Sequence, residues 1–469
     1  MPVTAELAFA DIPRLGRGLR TKEFTAVELA EFALQRLDTV GRDLNAVVTL
    51  TRDIALQQAA EADRELAAGK DRGPLHGIPY GAKDLLSARG APTTWGAAPF
   101  RTRVIDEDAW VIERLRDAGA VLVAKLAMVE LAGGLGYRQA NAAFTGPGRN
   151  PWHRESWSGG SSSGSGSAVG AGCVPFAIGS ETWGSILNPA CSCGITGLRP
   201  TFDRVSKRGA MALSWTMDKL GPMCRSAHDC GVVLGAIAGC EPDDIDAVAH
   251  PFDYPAEVDA ARPPFRLALL KSAIDHVQPA VRKNFDASLE VLKDVVQTEF
   301  VELPEYPYSD VATTIIAAEM GAAFEGLVIT GEVWELTAPE DRPGAHAAQF
   351  IPARDYINAQ RIRKRLQRDL DTLLARFDAI ATPSLSTVAR PLDMESSAYN
   401  KGFTTGDISG AGNVAGLPAL SVPNGFGDRG LPTGLQFVGR AWSEGRLLAL
   451  GRLYQQRTDW HRRQPDLRR

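Results

Sequence analysis

Cysteine at metal-binding spacing is missing from this chain. Its six cysteines, at 173, 191, 193, 224, 230 and 240, contain no CxxC pair, and His228 among them has no partner at ligand distance along the chain. No metal site is therefore expected. Most of these cysteines stand among Ala, Gly, Val and Ile, where a thiol behaves as a small apolar side chain. An excess of charge is missing too. Lys+Arg number 51 against 56 Asp+Glu, for a formal net charge of −5 and a pI near 5.9. That balance argues against nucleic acid or an anionic membrane as the main partner, and the basic stretch 457–469 reads as a solvated tail. No apolar run approaches the ~18 residues that span a bilayer. The opening "MPVTAELAFADIPR" has neither a basic start nor an apolar centre, so no signal peptide is expected and the location is taken as cytoplasmic.

What remains is a 469-residue chain with 44% hydrophobic and 23% charged residues, ordinary for a large globular core. Thr25 and Glu28 form a capping box ahead of an apolar stripe at Leu29, Phe32, Ala33 and Leu37, which predicts a helix over 25–37. "LNAVVTL" (44–50) predicts a strand and "DIALQQAAEADRELAAG" the helix after it. Residues 109–128 predict a helix running through Gly119 into a strand at 120–126. Strand and helix in alternation imply an α/β fold with a largely buried sheet. "CVPFAIGS" (173–180) and "FRLALL" read as strands, and 315–329 and 355–377 as long helices. "AIATPS", "LPALSVPNG" and "LPTGLQFVG" read as strands near the end. There is no internal repeat, and one domain is expected over 1–469.

One low-complexity stretch stands out, "SWSGGSSSGSGSAVGAG" (156–172). Its composition is that of a linker, yet it passes straight into the apolar "CVPFAIGS", as a Gly-rich turn and buried helix would. Residues 160–164 match the GxSxG nucleophile elbow in form. The strand that must lead into an elbow is absent, and no later histidine has a triad context. A phosphate loop would need a lysine that the run lacks.

A different chemistry emerges when distant segments are combined. "LHGIPYGAKDLL" (75–86) carries Lys83 between apolar residues, "GGSSSGSGSA" carries Ser161, and "GSETWGSILNPACSCGITGLRP" (179–200) carries Ser185. This constellation resembles the amidase signature family, whose hydrolases use a Ser-cisSer-Lys triad. The hallmark block runs unbroken from Gly159 to Pro200, and "DAWVIERLRDAGAVLVAKLAMVELA" and "NVAGLPALSVPNG" agree with it. The resemblance implies an α/β fold with a large twisted mixed sheet flanked on both faces by helices, and no cofactor. It implies Lys83 as base, Ser161 as bridging serine and Ser185 as nucleophile. The amides of Thr182, Trp183 and Gly184, with that of Ser185, would form the oxyanion hole. It weakens over about 250–375, a helical segment expected to serve the substrate.

The chemistry explains why such residues are needed. At an ordinary pKa near 10.4, about one lysine in two thousand is neutral at pH 7, and burial lowers that pKa by up to ~3–5 units. Asp84 would oppose this if it lay nearby. A bridging hydroxyl can accept one proton while donating another, and Gly159 and Gly160 let its backbone approach closely. Ser162, Ser163, Ser165 and Ser167 are expected to be structural.

Three departures from the family bear on specificity. Trp183 stands where many members carry glycine, Glu181 where many carry aspartate, and Leu187 where many carry arginine. Without that arginine an acidic substrate loses an anchor, which favours neutral, fairly apolar amides: aryl or alkyl amides, anilides, carbamates or esters. The "GGLGYR" loop (133–138), with Gly134, Leu135 and Tyr137, is the expected pocket wall together with Gly160, Trp183 and Leu187. Tyr306, Met320, Phe324 and Trp334 are further candidates for the mouth. The expected ligand is a small amide-like molecule, the expected state a monomer or homodimer. The alternative is the glutaminase component of a tRNA-dependent amidotransferase, which shares the triad. An inactive binding scaffold is disfavoured because all three reactive residues are retained.

Overall fold

Strands rich in Val, Leu, Ile and Ala build the frame, and the site lies where several of them end. A computed structural model describes residues 5–241, 248 and 250–468. Among them eleven strands form one mixed sheet. They are β1 (Val47–Leu50), β2 (Pro79–Lys83), β3 (Val121–Leu126), β4 (Phe176–Glu181), β5 (Thr196–Arg199), β6 (Lys219–Cys224), β7 (Phe265–Leu270), β8 (Val296–Val301), β9 (Ala379–Pro383), β10 (Ala419–Phe426) and β11 (Pro432–Val438). Their order is β1-β3-β2-β4-β6-β5-β10-β11-β9-β7-β8, with helices on both faces. Strands β2, β3, β4, β6 and β11 are buried at every position, as strands covered on both faces must be. The edge strand β8 is exposed over most of its length.

β2 pairs in parallel with both β3 and β4, with Ala82 opposite Ile178. Lys83 and Glu181 therefore sit at neighbouring carboxyl ends. Open sheets bind ligands beyond such ends.

The expected elements recur with instructive differences. The capping box at Thr25 and Glu28 opens the helix Ala26–Arg36, but another helix, Ile12–Arg20, precedes it with Asp11 as its cap. The element at 109–128 breaks at Gly119, whose φ is +77°, between helix Trp110–Asp117 and β3. The helix expected at 315–329 begins at Tyr308 and ends at Ala323; Phe324 leaves helical geometry, and Glu325–Thr330 forms a separate short helix. The serine-glycine run becomes the helix Ser163–Gly170, buried at all eight positions. The cysteines are free, and all but the half-buried Cys240 are buried; burial pushes the Cys173 and Cys191 thiols up to about 12.

Candidate active site

The last residue of β2 supplies the base candidate. Lys83 is fully buried, and its Nζ donates to Ser161 Oγ at 2.7 Å and to Ser180 Oγ at 2.9 Å. Burial drives its pKa down to about 7, against the opposing pull of Asp218 and Glu181. Asp84, its neighbour in sequence, is engaged elsewhere: it pairs with the buried Lys125 at 2.8 Å and accepts from the Thr94 amide. Ser180 was not foreseen. Its sequence signal was weak, since it is one small residue in a strand.

Ser161 enters through close-packed backbone. The Gly160–Ser161 peptide bond is cis. A side chain at Gly160 would meet Trp157 at 2.7 Å and Val129 at 2.9 Å, and one at Gly159 would meet Asn188 Oδ1 at 2.4 Å. Only glycine fits either position. The four serines that follow it in the run bind backbone: Ser162 Oγ donates to Ser180 O, Ser163 to Ala127 O, Ser165 to Ile178 O and Ser167 to Arg149 O. They tie the helix to its surroundings, as expected.

Ser185 lies on the turn between β4 and the helix Leu187–Cys193. Its carbonyl accepts from the Ser162 amide at 3.2 Å, which fastens the turn beside Ser161. Glu181 shapes the turn from within. One of its oxygens accepts from the Ile186 and Leu187 amides at 2.8 and 3.0 Å, and the other from Arg199 at 2.9 Å. Burial alone would raise its pKa, yet Arg199, Lys219 and the two amides hold it below the usual range. Among the described residues, no protein group accepts from the Trp183, Gly184 or Ser185 amides, so these donors are free for an incoming oxygen. The positive φ of the turn falls on Gly184, at +86°, and not on Trp183. Trp183 is half-buried and its Nε1 donates to Ser409 Oγ at 3.0 Å.

These groups open into a cavity of about 460 Å³, within the usual range for small-molecule sites. Gly134, Tyr137, Gly160, Thr182, Trp183, Gly184, Ser185 and Leu187 all line it. Leu135 does not. Its apolar side chain is instead buried in the main core. Of the cover candidates, Met320 packs under Gly134, Phe324 against Trp95, and Tyr306 donates to Asp369, while Trp334 is exposed. The wall is instead formed by Thr313, Ile316 and Ala317 of the same helical region. The region was legible, but which face of the helix turned inward was not. Among the described residues, no Asp, Glu, Lys or Arg lines this cavity.

A model of the family described as Amidase matches residues 28–448. The chain belongs to the amidase family. Among its curated relatives is a glutamyl-tRNA(Gln) amidotransferase subunit of Roseiflexus sp. (strain RS-1), 37% identical over 95% of this chain and 96% of the relative. The protein of the same name from Chloroflexus aggregans is 36% identical, covering 99% of both chains. Among solved structures, the peptide amidase of Stenotrophomonas maltophilia superposes with a TM-score of 0.83 at 31% identity, over 96% of this amidase-family chain and 97% of that one. A bacterial aryl acylamidase superposes at 0.84 with 21% identity, covering 98% of both chains, which speaks to the fold.

Proposed function

We propose that this amidase hydrolyses C–N bonds whose flanking groups are neutral and largely apolar, in aryl or alkyl amides and anilides, with carbamates and esters as related substrates. The observation that carries the reading is an uncharged cavity beside Ser185, backed by the Lys83–Ser161 contact. In this reading Ser185 Oγ attacks the carbonyl carbon while its proton passes to Ser161 and that of Ser161 to neutral Lys83. The free amides of Trp183, Gly184 and Ser185, with that of Thr182, receive the developing oxyanion, each such donor worth ~3–4 kcal/mol. Protonated Lys83 returns its proton through Ser161 to the leaving nitrogen as the C–N bond breaks. Water then repeats the route and releases the acid from the seryl ester.

The test is a panel of 4-nitroanilides, primary amides, carbamates and esters with intact-mass detection of the acyl-enzyme. The adduct should form in the parent and in Ser165→Ala and be absent in Ser185→Ala. Reaction with esters alone would overturn the amide assignment.

The names of the curated relatives favour a second reading, the glutaminase component of a tRNA-dependent amidotransferase, more than they favour the first. The cavity weighs the other way. Free glutamine carries an ammonium beside its carboxylate, and burying an ammonium without a partner is costly; among the described residues, the cavity lining offers no Asp or Glu to meet it. Glutamine hydrolysis at a rate rivalling the anilides would decide for the second reading.

A further inference from the structure

We infer that a small side chamber built around Arg390 is a carboxylate subsite, so that the preferred amide carries an acid group remote from the scissile bond and no free amine. This rests on the hydrolase reading and adds a feature to the far end of its substrate. The chamber measures about 80 Å³ and shares Trp157, Asn188, Leu385 and Ser396 with the main cavity. The two spaces thus adjoin at Trp157.

Arg390 lines this chamber and is only 5% exposed. Its Nη1 donates to the carbonyls of Arg138 and Met394. Its Nε is buried and has no acceptor. The guanidinium lies 4.5 Å from the centre of the Trp157 ring, and the buried Nε1 of Trp157 also lacks an acceptor. Two donors without acceptors therefore belong to adjoining side chains that both line the chamber. Buried polar groups are almost always paired, and a buried charge more so. The groups that bear electrostatically on Arg390 are Tyr137 and Glu395. Neither accepts from it, and Glu395 is exposed. Among the described residues no Asp or Glu lines the chamber; besides Arg390, polar groups on its wall include Asn188, Ser192, Ser386, Thr387, Tyr399 and Asn400. Nearby, the exposed Arg429 donates to Tyr399 Oη at 3.0 Å, adding positive charge.

A planar guanidinium with an unused edge matches a carboxylate, which accepts two parallel bonds. With no side-chain carboxylate among the described residues of either chamber, nothing there awaits an ammonium. The structure thus distinguishes an acid-terminated amide from an amino acid amide.

The experiment compares ω-carboxyacyl 4-nitroanilides having two to five methylenes with their methyl esters, monitoring anilide cleavage in the parent chain. At one chain length the acid should exceed its ester at least tenfold in kcat/KM, with the gain in KM. That ratio should fall to near one in Arg390→Gln and recover in part in Arg390→Lys, with circular dichroism and Tm verifying that each variant is folded. Adding an α-amino group to the best acid should erase its advantage. If the parent cleaves the methyl esters but prefers no acid, the subsite is wrong while the hydrolase reading stands. A preference for acids that persists in folded Arg390→Gln also overturns it. If the parent cleaves neither series, the hydrolase reading itself fails.

Discussion

At the scale of single residues, a lysine can act as a base near neutral pH only if its charge is made costly, and Lys83 meets that condition. Its pKa of about 7 sets a direction: below it the amine holds its proton and cannot accept one from Ser161. The expected kcat/KM profile therefore falls about tenfold per pH unit below 7 and levels above. A flat profile down to pH 5.5 would remove Lys83 as the base. The same shift affects stability. Between pH 7 and 10.5 the unfolded chain holds a proton that the native chain has released, so stability from this group rises with pH across that window. Lys83→Met should consequently gain most, relative to the parent, at pH 6 and least at pH 10, measured by urea unfolding. Trp183 offers a second test at this scale. With the positive φ assigned to Gly184, Trp183→Gly leaves the amides proposed for the oxyanion their geometry but removes an aromatic wall. KM for anilides should rise about five- to tenfold while kcat stays within about threefold. A collapse of kcat would instead make the indole part of the turn's geometry.

At the scale of elements, the turn carrying Ser185 is held by charge and the helix beside it by small size. Glu181 is the single acceptor that joins two amides of the turn to Arg199, all of them buried. Neutralising it leaves Arg199 without its counter-ion and with Lys219 close by, so Glu181→Gln should cost about 3–5 kcal/mol and lower kcat as well. Urea midpoints and anilide kinetics measure both. In the helix Ser163–Gly170, a Cβ at Gly164 would sit 2.3 Å from the Ala46 carbonyl and 2.5 Å from the Ala127 nitrogen. Gly164→Ala should therefore destabilise by ~1–3 kcal/mol or more. Ser165→Ala, which loses one hydrogen bond to a strand carbonyl, should cost about 1 kcal/mol. Equal costs for the two would contradict this account of the run.

These elements also show what could be read beforehand. Lys83, Ser161 and Ser185 stand out in the sequence because their flanking residues form an unusual pattern, and the structure brings Lys83 against Ser161. The strands β7, β9, β10 and β11 were legible because their apolar runs are compact and bounded by turn residues. The strand β2 itself was missed, since "PYGAK" has little strand propensity and forms through pairing with β3 and β4. Ser180, the inward face of Tyr308–Ala323 and the Arg390 chamber were illegible for a related reason. Each depends on contacts between segments far apart in the chain, which no local period encodes.

At the scale of the whole molecule, the question is whether one chain suffices. All eleven strands join in one sheet, and the groups named in the mechanism come from β2, the run at 160–161 and the turn after β4. Nothing in that set has to be supplied by a second chain. A catalytic component that waits for a partner predicts something different: a site whose donors or base become competent only in the complex. Here Lys83 already contacts Ser161 and the three amides at 183–185 already lack internal acceptors. The purified chain alone should therefore cleave neutral anilides at a rate proportional to its concentration from nanomolar to micromolar. Sedimentation velocity over the same range reports whether a monomer or a homodimer carries that activity. Specific activity that rises steeply with concentration would make self-association a requirement. Activity seen only after adding a cell extract would return the chain to the amidotransferase reading. If the isolated chain is active and glutamine fails to compete with the anilide, the uncharged cavity has predicted the substrate better than the names of its relatives.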